Sequence, residues 1–183
     1  MVALFAAVLD ETVSRIDPRK NKVVKTIGFD GSPTCIRAGA GAIWIGSQAR
    51  PNIFRIDPAT NAVTTVPVGH GSELCVDPHA DGVWVSDDTS GSVTRIDPAT
   101  NKVVSTVTVG SGPSDGVRGP DGLEWIPNVA DGTISRIDPA TEKVVDTITV
   151  GADSSSSGAR SATSGSARRG DRTSSGSTPR QTP

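Results

Sequence analysis

The chain has no tyrosine, three tryptophans, three phenylalanines, two histidines, two cysteines and one methionine in 183 residues. So few aromatic rings exclude the stacking platforms that hold single-stranded nucleic acid. No apolar run approaches the roughly 20 residues of a membrane-spanning helix. The apolar start, Met1 to Leu9, lacks a basic leading segment and a convincing cleavage site, so it does not read as a signal peptide. Asp-x-Asp-x-Asp-Gly calcium loops, P-loops and Cys/His zinc spacings are absent. Cys35 and Cys75 are the only cysteines. A bridge between them would need a close Cα approach, and the expectation is two reduced, half-buried thiols, which leave the compartment undecided.

Basic charge is scarce where a core is possible. The formal net charge is −2, but residues 152–183 hold five arginines against two aspartates, so the rest of the chain carries about −5. That balance disfavours nonspecific nucleic-acid binding, which needs a basic surface. Residues 152–183 contain nothing apolar larger than alanine or proline. Such a segment cannot bury enough surface to offset its ordering entropy, and a disordered Ser/Gly/Arg tail is expected.

What the chain does have is a repeat of about 40 residues. Arg-Ile-Asp-Pro recurs at Arg15–Pro18, Arg55–Pro58, Arg95–Pro98 and Arg136–Pro139. Trp44, Trp84 and Trp125 precede the last three arginines by the same interval, and Leu4 takes that place in the first copy. Each full unit reads as four strands rich in Val, Ile and Thr. In the second unit these are Thr34–Arg37, Ala42–Gly46, Asn52–Ile56 and Ala62–Val68, here named a to d. The c–d link, Asp-Pro-Ala-Thr-Asn at Asp57–Asn61 and Asp97–Asn101, predicts a tight hairpin: Asp bonds the backbone two residues on, Pro presets φ, and Asn tolerates the left-handed conformation. Val103, Val104, Val107 and Val109 in one strand leave neither face cleanly polar. Sheets stacked face to face around an axis would bury both faces.

The expected fold is therefore all-β, a β-propeller of four-stranded antiparallel blades, incomplete at about 3.75 blades. The propeller segment is residues 1–151, with a partial blade over 1–28 and blades over about 33–68, 73–109 and 114–150. Met1–Ala7 aligns with strand b, so strand a of the first blade is missing. One tryptophan per blade at one position is most simply inter-blade packing, and Arg15, Arg55, Arg95 and Arg136 recur with the fold as partners for nearby carboxylates or carbonyls.

The tail also admits a sharper reading. Across Ser175–Gln181, each codon's third base joined to the next two is compatible with Arg-Ile-Asp-Pro-Ala-Thr, and the Ser164/Gly165 junction is compatible with tryptophan at the repeat's own interval. Residues from about 152 onward then read as a frame-shifted next blade, which the coding DNA decides.

Segments such as Thr94-Arg-Ile-Asp-Pro-Ala-Thr-Asn-Lys-Val-Val and Asp131-Gly-Thr-Ile-Ser-Arg-Ile-Asp-Pro-Ala-Thr-Glu-Lys-Val-Val resemble the YVTN-type β-propeller repeat family, over residues 2 to 151. That family spans surface proteins, binding modules and the streptogramin-inactivating virginiamycin B lyases, and its members commonly close with seven blades. The resemblance implies an extracytoplasmic or secreted parent protein.

In a propeller, ligands meet the face formed by the d–a and b–c loops. The polar candidates there are His70, Glu73, Asp87, Asp88, Asp115, Asn128 and Asp131. His70 and Glu73, an imidazole and a carboxylate in one short loop, are the weak candidates for acid–base catalysis or a hard-metal contact. Surface loops gather such residues through turn chemistry alone, and His79, in the opposite a–b connection, is expected to be solvated. Lyases of the resembling family draw His and Glu residues and a divalent metal from several blades, whereas this chain offers one His-bearing top loop. The leading expectation is a non-catalytic scaffold for an unknown protein or small molecule, with no metal or other cofactor. The alternative is a fragment of a lyase-like enzyme with a divalent metal. Uncapped terminal blades would favour self-association.

Overall fold

The computed structural model describes residues 3–7, 11–48, 50–69, 71 and 74–151. They form fifteen strands in four antiparallel meanders, with no helix among them. The first sheet has three strands, β1 (Ala3–Ala7), β2 (Thr12–Asp17) and β3 (Lys22–Gly28). The second runs β4 (Pro33–Gly39), β5 (Ala42–Ser47), β6 (Asn52–Ile56) and β7 (Val63–Pro67). The third comprises β8 (Leu74–His79), β9 (Gly82–Asp87), β10 (Ser92–Asp97) and β11 (Lys102–Thr108). The fourth comprises β12 (Val117–Arg118), β13 (Glu124–Asn128), β14 (Thr133–Asp138) and β15 (Lys143–Thr149). In every sheet the order in space is the order in sequence. The expected all-β, incomplete propeller architecture is what the chain adopts.

The aspartate of each repeat shapes its c–d turn. Asp57 Oδ1 accepts from the backbone N–H groups of Ala59 at 2.7 Å and Thr60 at 3.0 Å. Asp97 and Asp138 do the same for Ala99 at 2.8 Å and Ala140 at 2.9 Å. The turn closes on a residue of positive φ, namely Asn61 (62°), Asn101 (56°) and Glu142 (57°). Asparagine suits that conformation, and Glu142 adopts it without the local side-chain bonding that helps asparagine.

Beyond the turn, β3, β11 and β15 each carry a bulge opposite the Arg-Ile step. The extra residues are Val24, Val104 and Val145, each more than half exposed. The Val103–Val104 pair is thus no evidence of burial on both faces: the bulge at the outer strand turns both valines to solvent. The second sheet pairs Arg55 with Thr64 and Ile56 with Val63 without a shift. Its strand d is one residue shorter between turn and core, so the missing residue is the missing bulge.

Buried apolar faces meet between successive sheets. Val13 and Ile27 pack with Ile43, Ile45, Phe54 and Ile56. Trp44, Ile53 and Val66 pack with Leu74, Val76, Val83 and Ile96. Trp84, Val93 and Val107 pack with Ile126 and Ile137. Trp44 and Trp84 are at most 1 % exposed, and at about 25 cal/mol per Å² such rings are the largest single contributions to these interfaces. Trp125 is half-buried. Where backbones approach closely, glycine is required: a Cβ on Gly46 of β5 would collide with the Leu74 carbonyl of the next sheet.

Candidate functional site

The inner strands carry the candidate site. Arg37, Asp77 and Val117 hold one register, each opposite its sheet's tryptophan. Two residues earlier stand Cys35 on β4, Cys75 on β8 and Asp115 in the segment leading into β12. Cys35 Sγ accepts from the Val76 backbone N–H at 3.1 Å and from the Cys75 thiol. The accepted bond from Cys75 holds the Cys35 thiol below its ordinary range, while donating that bond, together with burial, pushes Cys75 up. Both cysteines are free and half-buried. Asp115 forms an ion pair with Arg37, so the second and fourth sheets touch across the third. Only inner strands that converge on an axis can do this.

Above these residues lies a cavity of about 330 Å³ lined by Thr34, Gln48, Cys75, Asp88, Pro113 and Ser114. Three sheets contribute to it, through strand a and the b–c loops. Its wall presents hydroxyl, amide and thiol groups, one carboxylate and the ring of Pro113.

The structure does not gather the sequence-derived candidates into one cluster. His70 and Glu73 lie outside the described residues. Asp87 is buried and accepts from Thr89 N at 3.0 Å, Thr89 Oγ1 at 2.8 Å and Ser90 N at 3.3 Å, bracing its own b–c turn. Asn128, also buried, donates to Thr133 Oγ1 and Ser135 Oγ, both at 2.9 Å. Asp131 accepts from Ser111 N at 2.6 Å. Asp88 alone of the five lines the cavity. Thr34, Gln48 and Cys75 carry no motif that marks them in the sequence. Ser114 does sit in a Gly-x-Ser-x-Gly string, Gly112–Gly116, but that string leads into β12 and not into a helix. The strained strand-to-helix turn that exposes a nucleophile is not built.

Comparison with solved structures fixes the architecture. Hydrazine synthase from Kuenenia stuttgartiensis superposes with a TM-score of 0.70 at 16% identity, over 81% of this chain and 46% of that one. Virginiamycin B lyase from Staphylococcus aureus gives 0.67 at 20% identity, over 75% and 48%. Dihydro-heme d1 dehydrogenase NirN gives 0.67 at 17% identity, over 81% and 36%. The chain is a partial β-propeller. It spans roughly a third to a half of the length of these neighbours, and at such identities the likeness is one of fold. No family model and no curated protein matches the sequence.

On the opposite face of the propeller, His79 departs from expectation. It ends β8 half-buried and is not a solvated loop residue. Its Nε2 is 3.0 Å from Asp77 Oδ2 and 3.6 Å from Glu124 Oε1, at the seam between the third and fourth blades. The hydrogen bond with Asp77 raises the imidazole pKa. Glu124 is fully buried at the start of β13, and burial pushes its carboxyl up to about 7, against the pull of Arg118 and His79. Arg118 Nη2 stands 2.5 Å from Glu124 Oε1 and 3.2 Å from Asp81 Oδ1. The sequence did hold a signal: Glu124, the residue before Trp125, takes the place filled by Ile43 and Val83, both buried apolar residues.

Proposed function

We propose that this chain is part of a non-catalytic propeller that binds a small, polar, uncharged ligand at the mouth of its axis, over β4, β8 and the segment leading into β12. The observation that carries this reading is the 330 Å³ cavity, to which three blades bring Thr34, Gln48, Cys75 and Ser114. The hydroxyl, amide and thiol groups of the wall orient a ligand, with Asp88 the one carboxylate among the lining residues. The neighbouring carboxylates are tied into structure: Asp115 to Arg37, Asp87 and Asp131 to loop N–H groups. Binding by several blades at once suits a scaffold, since each blade adds one or two contacts to a shared mouth.

The competing activity is that of the virginiamycin B lyase neighbour, one structure of which is a catalytically inactive variant with quinupristin. The test incubates purified chain with quinupristin and Mg²⁺ and follows the linear product by chromatography, beside calorimetry with the same compound. Binding without turnover, or neither, accords with a scaffold. Metal-dependent ring opening by this chain overturns it.

A further inference from the structure

The Asp77–His79–Glu124 cluster has no role in the cavity described above, and it lies on the other face. Strand alternation puts Asp77 and His79 on one side of β8, and β13 of the next blade brings Glu124 against them. One oxygen or nitrogen from each falls within 4.8 Å of the others. His79 Nε2 lies 3.0 Å from Asp77 Oδ2, near the roughly 3.4 Å edge of a tetrahedron with bonds of about 2.1 Å, and 3.6 Å from Glu124 Oε1, the oxygen that Arg118 engages.

Three observations distinguish this cluster from an ordinary ion pair. Glu124 replaces a buried Ile or Val of the other blades, so a carboxylate has been placed where the fold itself requires only an apolar side chain. Its Oε1 is engaged by Arg118, but Oε2 is buried with no hydrogen-bond partner. A carboxylate oxygen orphaned in this way costs stability unless something positive occupies its lone pairs. Neither of the other strand a segments repeats the set: Arg37 and Gly39, then Val117 and Gly119, stand where Asp77 and His79 do.

We propose that Asp77, His79 and Glu124 bind one divalent ion of the zinc class at the seam between the third and fourth blades, with Arg118 and Asp81 holding Glu124 in place. One imidazole and two carboxylates suit Zn²⁺ or Co²⁺, and three protein donors leave a position for water. Arg118 is a positioning residue: it fixes one oxygen of Glu124 and leaves the other for the ion. Because the ligands come from two blades, the ion clamps a seam and stabilises the folded chain by mass action.

The test titrates the metal-free full chain with ZnCl₂ by calorimetry and with CoCl₂ by visible absorption. Expected are a single saturable site, a rise in Tm with zinc, and a Co²⁺ spectrum of oxygen and nitrogen ligands without thiolate charge transfer. His79→Gln should weaken binding at least about 100-fold and Arg118→Gln about 10-fold, with near-ultraviolet circular dichroism reporting whether the tryptophan cores persist. Absence of a one-site isotherm for the unaltered chain overturns the proposal and leaves a buried ion-pair network. A thiolate spectrum overturns it too, since the ion would then sit at Cys35 and Cys75. So does binding by a folded His79→Gln variant as tight as that of the parent.

Discussion

Arg95 lies over the ring of its cross-strand partner Trp84, its guanidinium carbon 5.8 Å from the ring centroid. From there it reaches into the next blade, donating to Glu142 Oε1 at 2.6 Å in the c–d turn, and within its own blade it donates to the Asp81 carbonyl at 2.5 Å. Arg15 likewise donates to Pro58 O at 3.0 Å and Asn61 Oδ1 at 2.8 Å of the blade after its own. Arg136 stacks on Trp125 at 4.8 Å but pairs inside its own blade, with Asp121 at 2.7 Å and Asp146 at 3.3 Å. Arg95 is thus a planar plate between a tryptophan and the turn of the following blade. Lysine cannot take that part, because it has neither a stacking plane nor a fork of donors. Arg95→Lys should cost about 1–2 kcal/mol in urea unfolding. Arg136→Lys, which opens no seam between described blades, should cost less. Equal losses would show that the stack matters and the bridge does not.

Asp121 gives a pH-resolved test of the terminal plate. Its carboxylate accepts from Arg136 and from Trp125 Nε1, at 3.1 Å for the latter, and these bonds lower its pKa from 3.8 to about 2. A folded-state pKa below the unfolded value means stability that is present above 3.8 and lost as pH falls through about 2. Asp121→Asn should therefore be less stable than the parent at neutral pH, and the gap should close across that acid window. Urea midpoints at a series of pH values measure it, and a gap independent of pH would mean that the aspartate acts only by shape.

The bulges offer a test in the opposite direction, where a change should do little. The second blade already lacks the residue that Val104 represents, and it pairs β6 with β7 in plain register. Deleting Val104 should convert the third blade to that pattern, remove an exposed valine and shift stability by less than about 1 kcal/mol. Deleting Val107, whose side chain is buried between blades, should move the core set of β11 to the wrong face and unfold the seam. Thermal melts of the two deletions separate these outcomes.

Much of this architecture is legible in residues close together in sequence. The Asp97–Asn101 turn is written in side chains that bond their own backbone, and the constant Trp-to-Arg interval is the cross-strand pairing of β9 with β10 or its equivalents. The bulge was available too, as a one-residue difference between copies. The functional faces were harder to read, because their partners are set by curvature about the axis. Nothing local links Arg37 to Asp115, 78 residues away, or His79 to Glu124. The single clue was a substitution pattern: a carboxylate at Glu124 where two other copies carry Ile43 and Val83.

The cysteine pair gives a prediction that depends on geometry at the mouth of the cavity. Cys35 receives hydrogen bonds from the Cys75 thiol and the Val76 N–H, and these outweigh burial and the nearby Asp115 carboxylate. Its thiolate is therefore the more accessible of the two, while Cys75 is held protonated by donating to it. Iodoacetamide reacts with thiolates, so Cys35 should be alkylated first when the folded chain is treated near neutral pH. Replacing Cys75 by alanine removes one donor and should slow Cys35, whereas Cys75→Ser keeps a hydroxyl in its place and should slow it less. Peptide mapping by mass spectrometry gives both rates in one experiment. Faster labelling of Cys75, or a Cys35 rate indifferent to its neighbour, would mean that solvent access at the cavity controls reactivity and the hydrogen bond does not.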